Sequence, residues 1–489
     1  MKRILVANRA EIASRVIRTC DKLGIETVTI FTDVDSDLPF VKNSTFSECL
    51  GSGDVSETYI NKQLILDIAK KYKVDGIHPG YGFLSENSEF GELLEKNGMK
   101  FIGPRAKNIL LMGDKLESKK FVQSLNLPTV PGYNEDNQDS NHLKKEASKI
   151  GFPLLIKASA GGGGKGMKIV EKEDEFLDRL SSAKSEAMKF FGNDRVILEK
   201  YLINPRHIEI QVLGDGNGNA IHLFERECSI QRRYQKVVEE TPATNLTQEL
   251  RLEMCHMAVD LAKGMKYRGA GTVELILDES GKFYFLEMNT RLQVEHAITE
   301  MITGVDIVEE QIYIANNNKL NLTQEEVHSV GHAIECRVYA ENPYNNFLPQ
   351  AGDLEFIGEL KDPTVRLDTS YADGNTVSTN YDPMMAKVIT HDRTRLKNLK
   401  KMKEALIHLP FLGVQTNRDF LIDIIGYKDF VEGHYHTHSL ESWMDELCEK
   451  TDENLDDVFA TFNFISVKAK LNSNNIEDAW KRSSGQWLG

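Results

Sequence analysis

The stretch Pro153-Leu-Leu-Ile-Lys-Ala-Ser-Ala-Gly-Gly-Gly-Gly-Lys-Gly-Met-Lys-Ile-Val170 constrains this chain more than any other. Gly161 to Gly164 cannot pack a core and are costly to order. Bare backbone N–H groups can instead approach an anion closely, most often a phosphate. The spacing Gly161-x-Gly163-x-x-Gly166 formally matches the dinucleotide fingerprint, but that motif must open a helix, and Met167-Lys-Ile-Val170 reads as strand. A P-loop is excluded because Ser159 stands at the first glycine position and Gly166 at the Ser/Thr position. A glycine-rich hairpin closing over a triphosphate fits the flanking strands. The alternative, a flexible surface hairpin, accounts poorly for Lys157 and Lys165 beside the glycines.

At 489 residues the chain is expected to hold several packed units. Charged residues are 27% and hydrophobic ones 40%, ordinary for a globular protein. A balance of 59 Lys+Arg against 74 Asp+Glu gives −15, which argues against a general nucleic-acid or anionic-membrane binder. The strand-like Ile4-Leu-Val6 is too short for a secretory apolar region, and no apolar run approaches bilayer length. Cys20, Cys49, Cys228, Cys255, Cys336 and Cys448 are dispersed, as expected of reduced thiols in a cytoplasmic protein.

Residues 1–112 alternate strand and helix patterns, which predicts a parallel βαβ sheet. Pro79 to Asn87 reads as a loop presenting Tyr81 between two glycines, either plain turn chemistry or a lip over a ligand at the strand ends. Met112-Gly-Asp-Lys115 opens a helix leading to Leu127-Pro-Thr-Val-Pro-Gly132, read as a hinge. Residues 133–203 form a small unit around the glycine hairpin, within a region spanning 113–330 that turns strand-rich after 204. A further αβ unit covers 331–446, and 447–489 reads as an extension or linker. Glu186-Ala-Met-Lys189 approximates the tetrapeptide that carries biotin or lipoate, but helical periodicity over Phe176 to Phe191 rules out the required β-turn.

Gly271 to Asn289 reads as two alternating strands around a turn at Ser280-Gly281. With Glu279 opposite Lys282, counting back puts Glu274 opposite Glu287, and Asn289 on the face of Glu287. Opposed like charges are destabilising, and a divalent cation would reverse that. In Asn289-Thr-Arg-Leu-Gln-Val-Glu-His296, Arg291 can grip a small oxyanion, Gln293 adds a donor and Glu295 is a candidate general base. Glu225 to Val238 supplies further positive charge, although Arg232, Arg233 and Lys236 could be in part a solvated face. His207 reads as structural when taken alone, and the alternating His434, His436 and His438 only weakly suggest metal.

Six stretches in order resemble the biotin carboxylase component of biotin-dependent carboxylases, in the ATP-grasp superfamily. They are Ala7 to Ala13, His78 to Asn87, the Gly161 hairpin, Glu225 to Arg233, Glu287 to His296 and Glu335-Cys-Arg337. The resemblance implies an α/β and α+β multidomain fold. Its parts would be a Rossmann-like N-terminal domain, a mobile glycine-hairpin lid on an ATP-grasp domain, and a C-terminal biotin carboxylase domain. It implies a ligase in which bicarbonate attacks MgATP to give carboxyphosphate, which then carboxylates biotin on a carrier. By motif position, Lys115, Lys157, Gly162, Gly163, Gly164, Gly166, Met167, Glu199, Lys200, Leu202, His207 and Gln231 would hold ATP. Glu274 and Glu287, with Asn289, would hold Mg²⁺ or Mn²⁺; Lys236, Arg291, Gln293, Val294 and Glu295 would surround bicarbonate. Arg337 would stabilise the biotin enolate, and Tyr81 would line the biotin side. The implied partners are a biotin carboxyl carrier protein, a carboxyltransferase subunit and a second copy of the chain.

Two positions depart from the pattern: Tyr234 stands where His or Asn is common, and Ala297 where Pro is common. Neither a biotin acceptor nor a carboxyltransferase region is found, so a separate subunit of an acyl-CoA or pyruvate carboxylase is expected. The ending Gly485-Gln-Trp-Leu-Gly489 weakly resembles the segment before the carrier in methylcrotonyl- and propionyl-type carboxylases. The alternatives are another ATP-grasp carboxylate–amine ligase and a silent ATP-binding scaffold.

Overall fold

The computed structural model describes residues 1–159, 167–360 and 362–449. Five parallel strands, β1 (Arg3–Val6), β2 (Glu26–Phe31), β3 (Phe46–Cys49), β4 (Gly76–His78) and β5 (Lys100–Phe101), form the first sheet in the order β3-β2-β1-β4-β5. The helix Ala10–Lys22 connects β1 to β2 and buries Ala13, Val16, Ile17 and Cys20. The strand order reverses beside β1, so the loops leaving β1 and β4 meet at the carboxyl edge, where open α/β sheets bind ligands. Asn8, after β1, donates to the carbonyls of Pro79 and Tyr81, both at 2.7 Å. A side chain on Gly80 (φ +63°) would come within 2.9 Å of the Asn8 amide, so only glycine lets this loop close down. The loop ends at Asn87, whose side chain caps the helix Ser88–Lys96.

A small antiparallel sheet follows, ordered β6 (Gly132–Tyr133), β9 (Val196–Lys200), β7 (Leu154–Ala158), β8 (Met167–Val170). The helices Ser140–Ile150 and Phe176–Phe191 pack on it through Leu143, Phe176 and Leu180 against Leu154, Ile156 and Leu198. β7 and β8 pair with Lys157 opposite Met167, the expected hairpin. Gly162, Gly163, Gly164 and Gly166 lie outside the described residues. Lys189 stands in the last turn of a helix, as the periodicity requires.

The largest sheet has eight antiparallel strands. Its order is β14 (Phe283–Asn289), β13 (Arg268–Leu277), β10 (Arg206–Asp215), β11 (Ala220–Arg232), β12 (Gln235–Thr241), β15 (His332–Tyr339), then Met384–Asp392 and Arg366–Thr369. The pairing of β12 with β15 carries this sheet unbroken from the central part of the chain into the C-terminal part. The helix Gln248–Gly264 buries Met254, Ala258 and Leu261 in a core shared with β10, β13 and β14. A second unit begins at Leu440, and the structure describes it only as far as Glu449, along the helix Ser439–Glu449. The extension reading of 447–489 therefore falls almost wholly outside the described residues. Cys20, Cys49, Cys228, Cys255 and Cys336 are free thiols. No helix among the described residues is long and apolar enough to cross a membrane.

Candidate active site

Glu274 faces Glu287 as expected, but the turn between them differs from the expected one. Near the turn Leu277 pairs with Phe283, one residue out of the anticipated register, because Asp278 accepts from the N–H groups of Ser280 and Lys282 and makes a longer loop. A β-bulge between Glu274 and Leu275, with Leu286 as the extra residue on β14, restores Glu274 to Glu287. The alignment continues across four strands: Arg226 on β11 stands opposite Glu209 on β10, Glu209 opposite Glu274, and Glu274 opposite Glu287.

Lys236 on β12 projects into this row. Its ammonium donates to Glu209 at 2.5 Å, Glu274 at 3.0 Å and Glu295 at 2.7 Å. Lys236 is thus an internal cation and no part of a solvated face. Arg232 pairs with Glu341 at 2.7 Å, and Arg233 and Tyr234 form the exposed β11–β12 turn. Burial alone would raise the Glu274 carboxyl, but Lys236 and His207 hold it well below the usual range. The His207 ring lies 2.9 Å from Glu274. Burial would lower the imidazole, yet the Glu274 charge raises it. Glu287 is pushed up by burial and by Glu274.

Two opposed carboxylates, one of them raised by the other, fit a divalent cation, and Mg²⁺ on a triphosphate characteristically takes one or two carboxylates. The amide N–H of Asn289 donates to Glu274 at 2.7 Å, while its oxygen, the atom a metal would need, accepts from Arg291 at 3.1 Å. Among the described residues, the groups compact enough to share a metal are His207–Glu209–Glu274 and Glu209–Cys228–Glu295. Lys236 already bonds the carboxylates at the heart of both, so its ammonium takes the place of an ion there. His434, His436 and His438 form no such group.

Glu295 lies in the turn before the helix His296–Thr303 and is buried. Its carboxylate accepts from Lys236 and, at 2.9 Å, from Arg337 on β15. Burial opposes ionisation, but Lys236, Arg337 and Arg226 together hold Glu295 far below the usual carboxylate range. Arg337 also contacts Glu239 at 2.5 Å. Burial, opposed by Arg337 and reinforced by Glu295, raises Glu239 to about 7. Gln293 donates to Glu274 at 2.8 Å. Arg291 is held by Glu86 at 2.9 Å.

The remaining predicted residues fall on the lid side of the row. Asp114 caps the helix Lys115–Ser124 and sets Lys115 at its first position, where its charge reaches Glu287. Lys119, at 3.0 Å, and Lys157 both pair with Glu199. Burial would raise Glu199, but these two ammoniums bring it down to about 2. Met167 opposes Lys157, Lys200 ends β9, and Leu202 lies in the loop leading to β10. Gln231 donates to the His207 ring at 2.7 Å. A cavity of about 580 Å³ is lined by Tyr81, Arg291, Val294 and Arg337, together with Glu11 and Asp382. Lys236, His207, Asn289, Gln293 and Glu295 meet at the charged row, Tyr81, Arg291, Val294 and Arg337 line the cavity, and Lys157, Met167 and Lys200 belong to the small sheet.

Residues 1–109 match the family model for the biotin carboxylase N-terminal domain. Residues 114–323 match the ATP-binding domain of the carbamoyl-phosphate synthase L chain, and 335–442 the biotin carboxylase C-terminal domain. The biotin carboxylase domain of Hydrogenobacter thermophilus 2-oxoglutarate carboxylase, a dimer solved with MgADP and bicarbonate, superposes with a TM-score of 0.85 at 44% identity. The match covers 90% of this chain and 97% of that one. The chain belongs to the biotin carboxylase family. The Campylobacter jejuni biotin carboxylase gives a TM-score of 0.86 at 41% identity, covering 90% of this chain and 98% of that one. Longer relatives include the methylcrotonoyl-CoA carboxylase alpha subunit of Arabidopsis thaliana, 46% identical over 91% of this chain. The human propionyl-CoA carboxylase alpha chain is 48% identical over 90%. The chain spans 61% and 60% of the lengths of these two relatives.

Glu86, Lys119, Glu209, Arg226 and Glu239 bond predicted site residues without having been singled out by the sequence reading. Glu209 and Arg226 sit within charged, alternating runs that resemble solvated faces. The available signal was β10, where His207, Glu209 and Gln211 repeat at a period of two among apolar residues. Glu86 and Glu239 carry no comparable pattern.

Proposed function

We propose that this chain carries out the first half-reaction of a biotin-dependent carboxylase: ATP, bicarbonate and carrier-borne biotin give ADP, phosphate and carboxybiotin. The observation that carries this reading is the continuous chain Glu274–Lys236–Glu295–Arg337, which joins the carboxylate facing Glu287 to the cavity. Phosphoryl transfer depends on alignment and charge neutralisation more than on covalent help. Lys115, Lys157 and His207, with the glycine hairpin, would align the triphosphate. Glu274 and Glu287, with Asn289 beside them, would hold Mg²⁺ or Mn²⁺, which neutralises phosphate charge when bound.

Bicarbonate enters between Lys236, Arg291 and Arg337 and competes with Glu295 for those cations. Released from its ion pairs, Glu295 becomes basic enough to take the bicarbonate proton. The bicarbonate oxygen then attacks the γ-phosphorus, ADP leaves, and carboxyphosphate forms. Carboxyphosphate is labile in water, so lid closure is needed to exclude solvent. Carboxyphosphate would then break at its carboxyl C–O bond to CO2 and phosphate, the phosphate would take the N1′ proton of biotin beside Tyr81, and the biotin enolate, stabilised by Arg337, would form the N1′–C bond with CO2.

The final acceptor, an acyl-CoA or a keto acid such as pyruvate, would be set by the carboxyltransferase partner, since relatives of both kinds match this chain at 44–48% identity. The proposed partners are a biotin carboxyl carrier, a carboxyltransferase subunit and a second copy of the chain, acting in the cytoplasm. The test is ATP hydrolysis that requires both bicarbonate and biotin, with labelled bicarbonate recovered on biotin. Label recovered in an amide would indicate a carboxylate–amine ligase instead. Glu295→Ala should lower turnover by about 100- to 10,000-fold while leaving MgATP affinity within about threefold; unchanged turnover would remove Glu295 as the base.

A further inference from the structure

Lys387 is one of the largest fully buried side chains of the protein, yet it does not line the cavity. It lies on the strand Met384–Asp392, directly opposite Arg337 on β15, so two cations stand side by side inside the sheet. An apolar residue of similar volume would pack there at less cost. The Lys387 ammonium reaches three groups. It donates to the Val294 carbonyl at 2.7 Å, lies 3.4 Å from Glu11, and lies 3.9 Å from Asp368. Glu11 in turn accepts the Tyr81 hydroxyl. Arg366 pairs with Asp368 at 2.6 Å, so Asp368 is neutralised without the lysine. The buried Glu335 also feels the Lys387 charge but shares it with Arg337, so the branches peculiar to Lys387 are Val294 and Glu11. Val294 precedes the base Glu295, and Glu11 carries the tyrosine on the biotin side.

We propose that Lys387 is a positioning residue that sets the distance between the bicarbonate wall, through the Val294 carbonyl, and the biotin wall, through Glu11 and Tyr81. The inference rests on the biotin carboxylase reading above. Carboxyl transfer needs carboxyphosphate and N1′ within attack distance, and a misplacement of about 1 Å can cost 100-fold. Carboxyphosphate forms from ATP and bicarbonate at Glu295, on the other wall, and does not use the Glu11–Tyr81 contact. Loosening the wall-to-wall link should therefore uncouple the two steps, with ATP still cleaved and its carboxyl lost to water.

Lys387→Met alone would leave Glu11 buried without its cation, so the test uses Lys387→Met/Glu11→Gln, which removes both charges. The measurement is ATP hydrolysed per carboxybiotin formed, in full-length protein with bicarbonate and free biotin. The expected result is a ratio raised about tenfold or more, with the KM for ATP within about threefold of wild type. An unchanged ratio overturns the proposal, as does a parallel loss of ATP binding, which would mark Lys387 as merely structural. If the double variant does not fold, Glu11→Gln carries the same test, because Lys387 keeps Val294 and Asp368. Wild-type protein is run alongside. Absence of biotin-dependent turnover in it would defeat the reading of the reaction, whereas a normal wild type with an unmoved variant ratio defeats only Lys387.

Discussion

Arg226 lies fully buried on β11 with its guanidinium shared among Glu209, Gln211 at 2.8 Å, Thr272 at 3.1 Å, Gln293 at 2.8 Å and Thr299 at 3.0 Å. In sequence it is the middle of Glu225-Arg-Glu227, within a run read only as a supply of positive charge. The fold gives it a more specific place, because β11 is buried along almost its whole length and its charges are neutralised by neighbouring strands and helices and not by water. Breaking a buried pair strands the partner, here Glu209, which also holds Lys236. Arg226→Met should therefore destabilise the protein by about 3–5 kcal/mol, seen as a lowered urea midpoint; a midpoint equal to wild type would show that Glu209 finds compensation elsewhere. Glu295 differs in kind. The polar run Asn289 to His296 singled it out as a candidate base, whereas its charge partners Lys236 and Arg337 come from distant strands.

At the scale of elements, short-range signals worked where one residue decides a conformation. Asp114 caps the helix that the sequence reading opened at Met112 to Lys115, Asn87 ends the loop read there by capping a helix, and the glycine run is flanked by paired strands. The hinge reading at Leu127 to Gly132 meets a tight contact. A side chain on Gly132 would fall 2.1 Å from the Leu198 carbonyl, so β6 can lie against β9 only with glycine there. Gly132 pairs with Glu199, the carboxylate that joins Lys119 to Lys157. Gly132→Ala should push β9 aside and weaken ATP affinity by about tenfold, on the scale of one lost charge-assisted hydrogen bond. Calorimetric titration with MgATP reads this directly, and an unaltered affinity would uncouple the hinge from the nucleotide side. The β11–β12 turn shows the limit of turn signals. Arg233 and Tyr234 adopt φ of +49° and +66°, a conformation that Asn-Gly would take more readily, so nothing in the two residues announces a two-residue hairpin.

At the scale of the whole molecule, the eight-stranded sheet joins parts of the chain that sequence reading separates near residue 330. Glu240 on β12 lies at that junction. It meets His332 at 2.8 Å and Arg395 at 2.7 Å, and it accepts the Tyr435 hydroxyl. Burial would raise this carboxyl, but His332 and Arg395 bring it from the ordinary 4.5 to about 2. A depressed folded value means that the unfolded chain binds the proton more tightly. The stabilisation, on the order of 3 kcal/mol, is thus present above pH 4.5 and lost as pH falls from there toward 2. Glu240→Gln should flatten the dependence of unfolding free energy on pH in that window while lowering stability at neutral pH. A variant with the wild-type acid slope would place the charge linkage elsewhere, with Glu199 the next carboxylate to examine.

What the sequence determined by itself is whatever depends on neighbours a few residues apart: the parallel N-terminal rhythm, the glycine hairpin, the helical setting of Lys189, and the polar run Asn289 to His296. Even the facing of Glu274 and Glu287 could be counted from alternation, although the count succeeded only because a longer turn and a bulge cancel. The tertiary structure alone decided which distant charges meet. Lys236 lies between Glu209, Glu274 and Glu295, Arg337 bridges Glu239 and Glu295, and Lys387 ties Val294 to Glu11. The reason is that a buried charge is tolerated only when a partner meets it in space, and spatial pairing across a sheet is fixed by strand order and register.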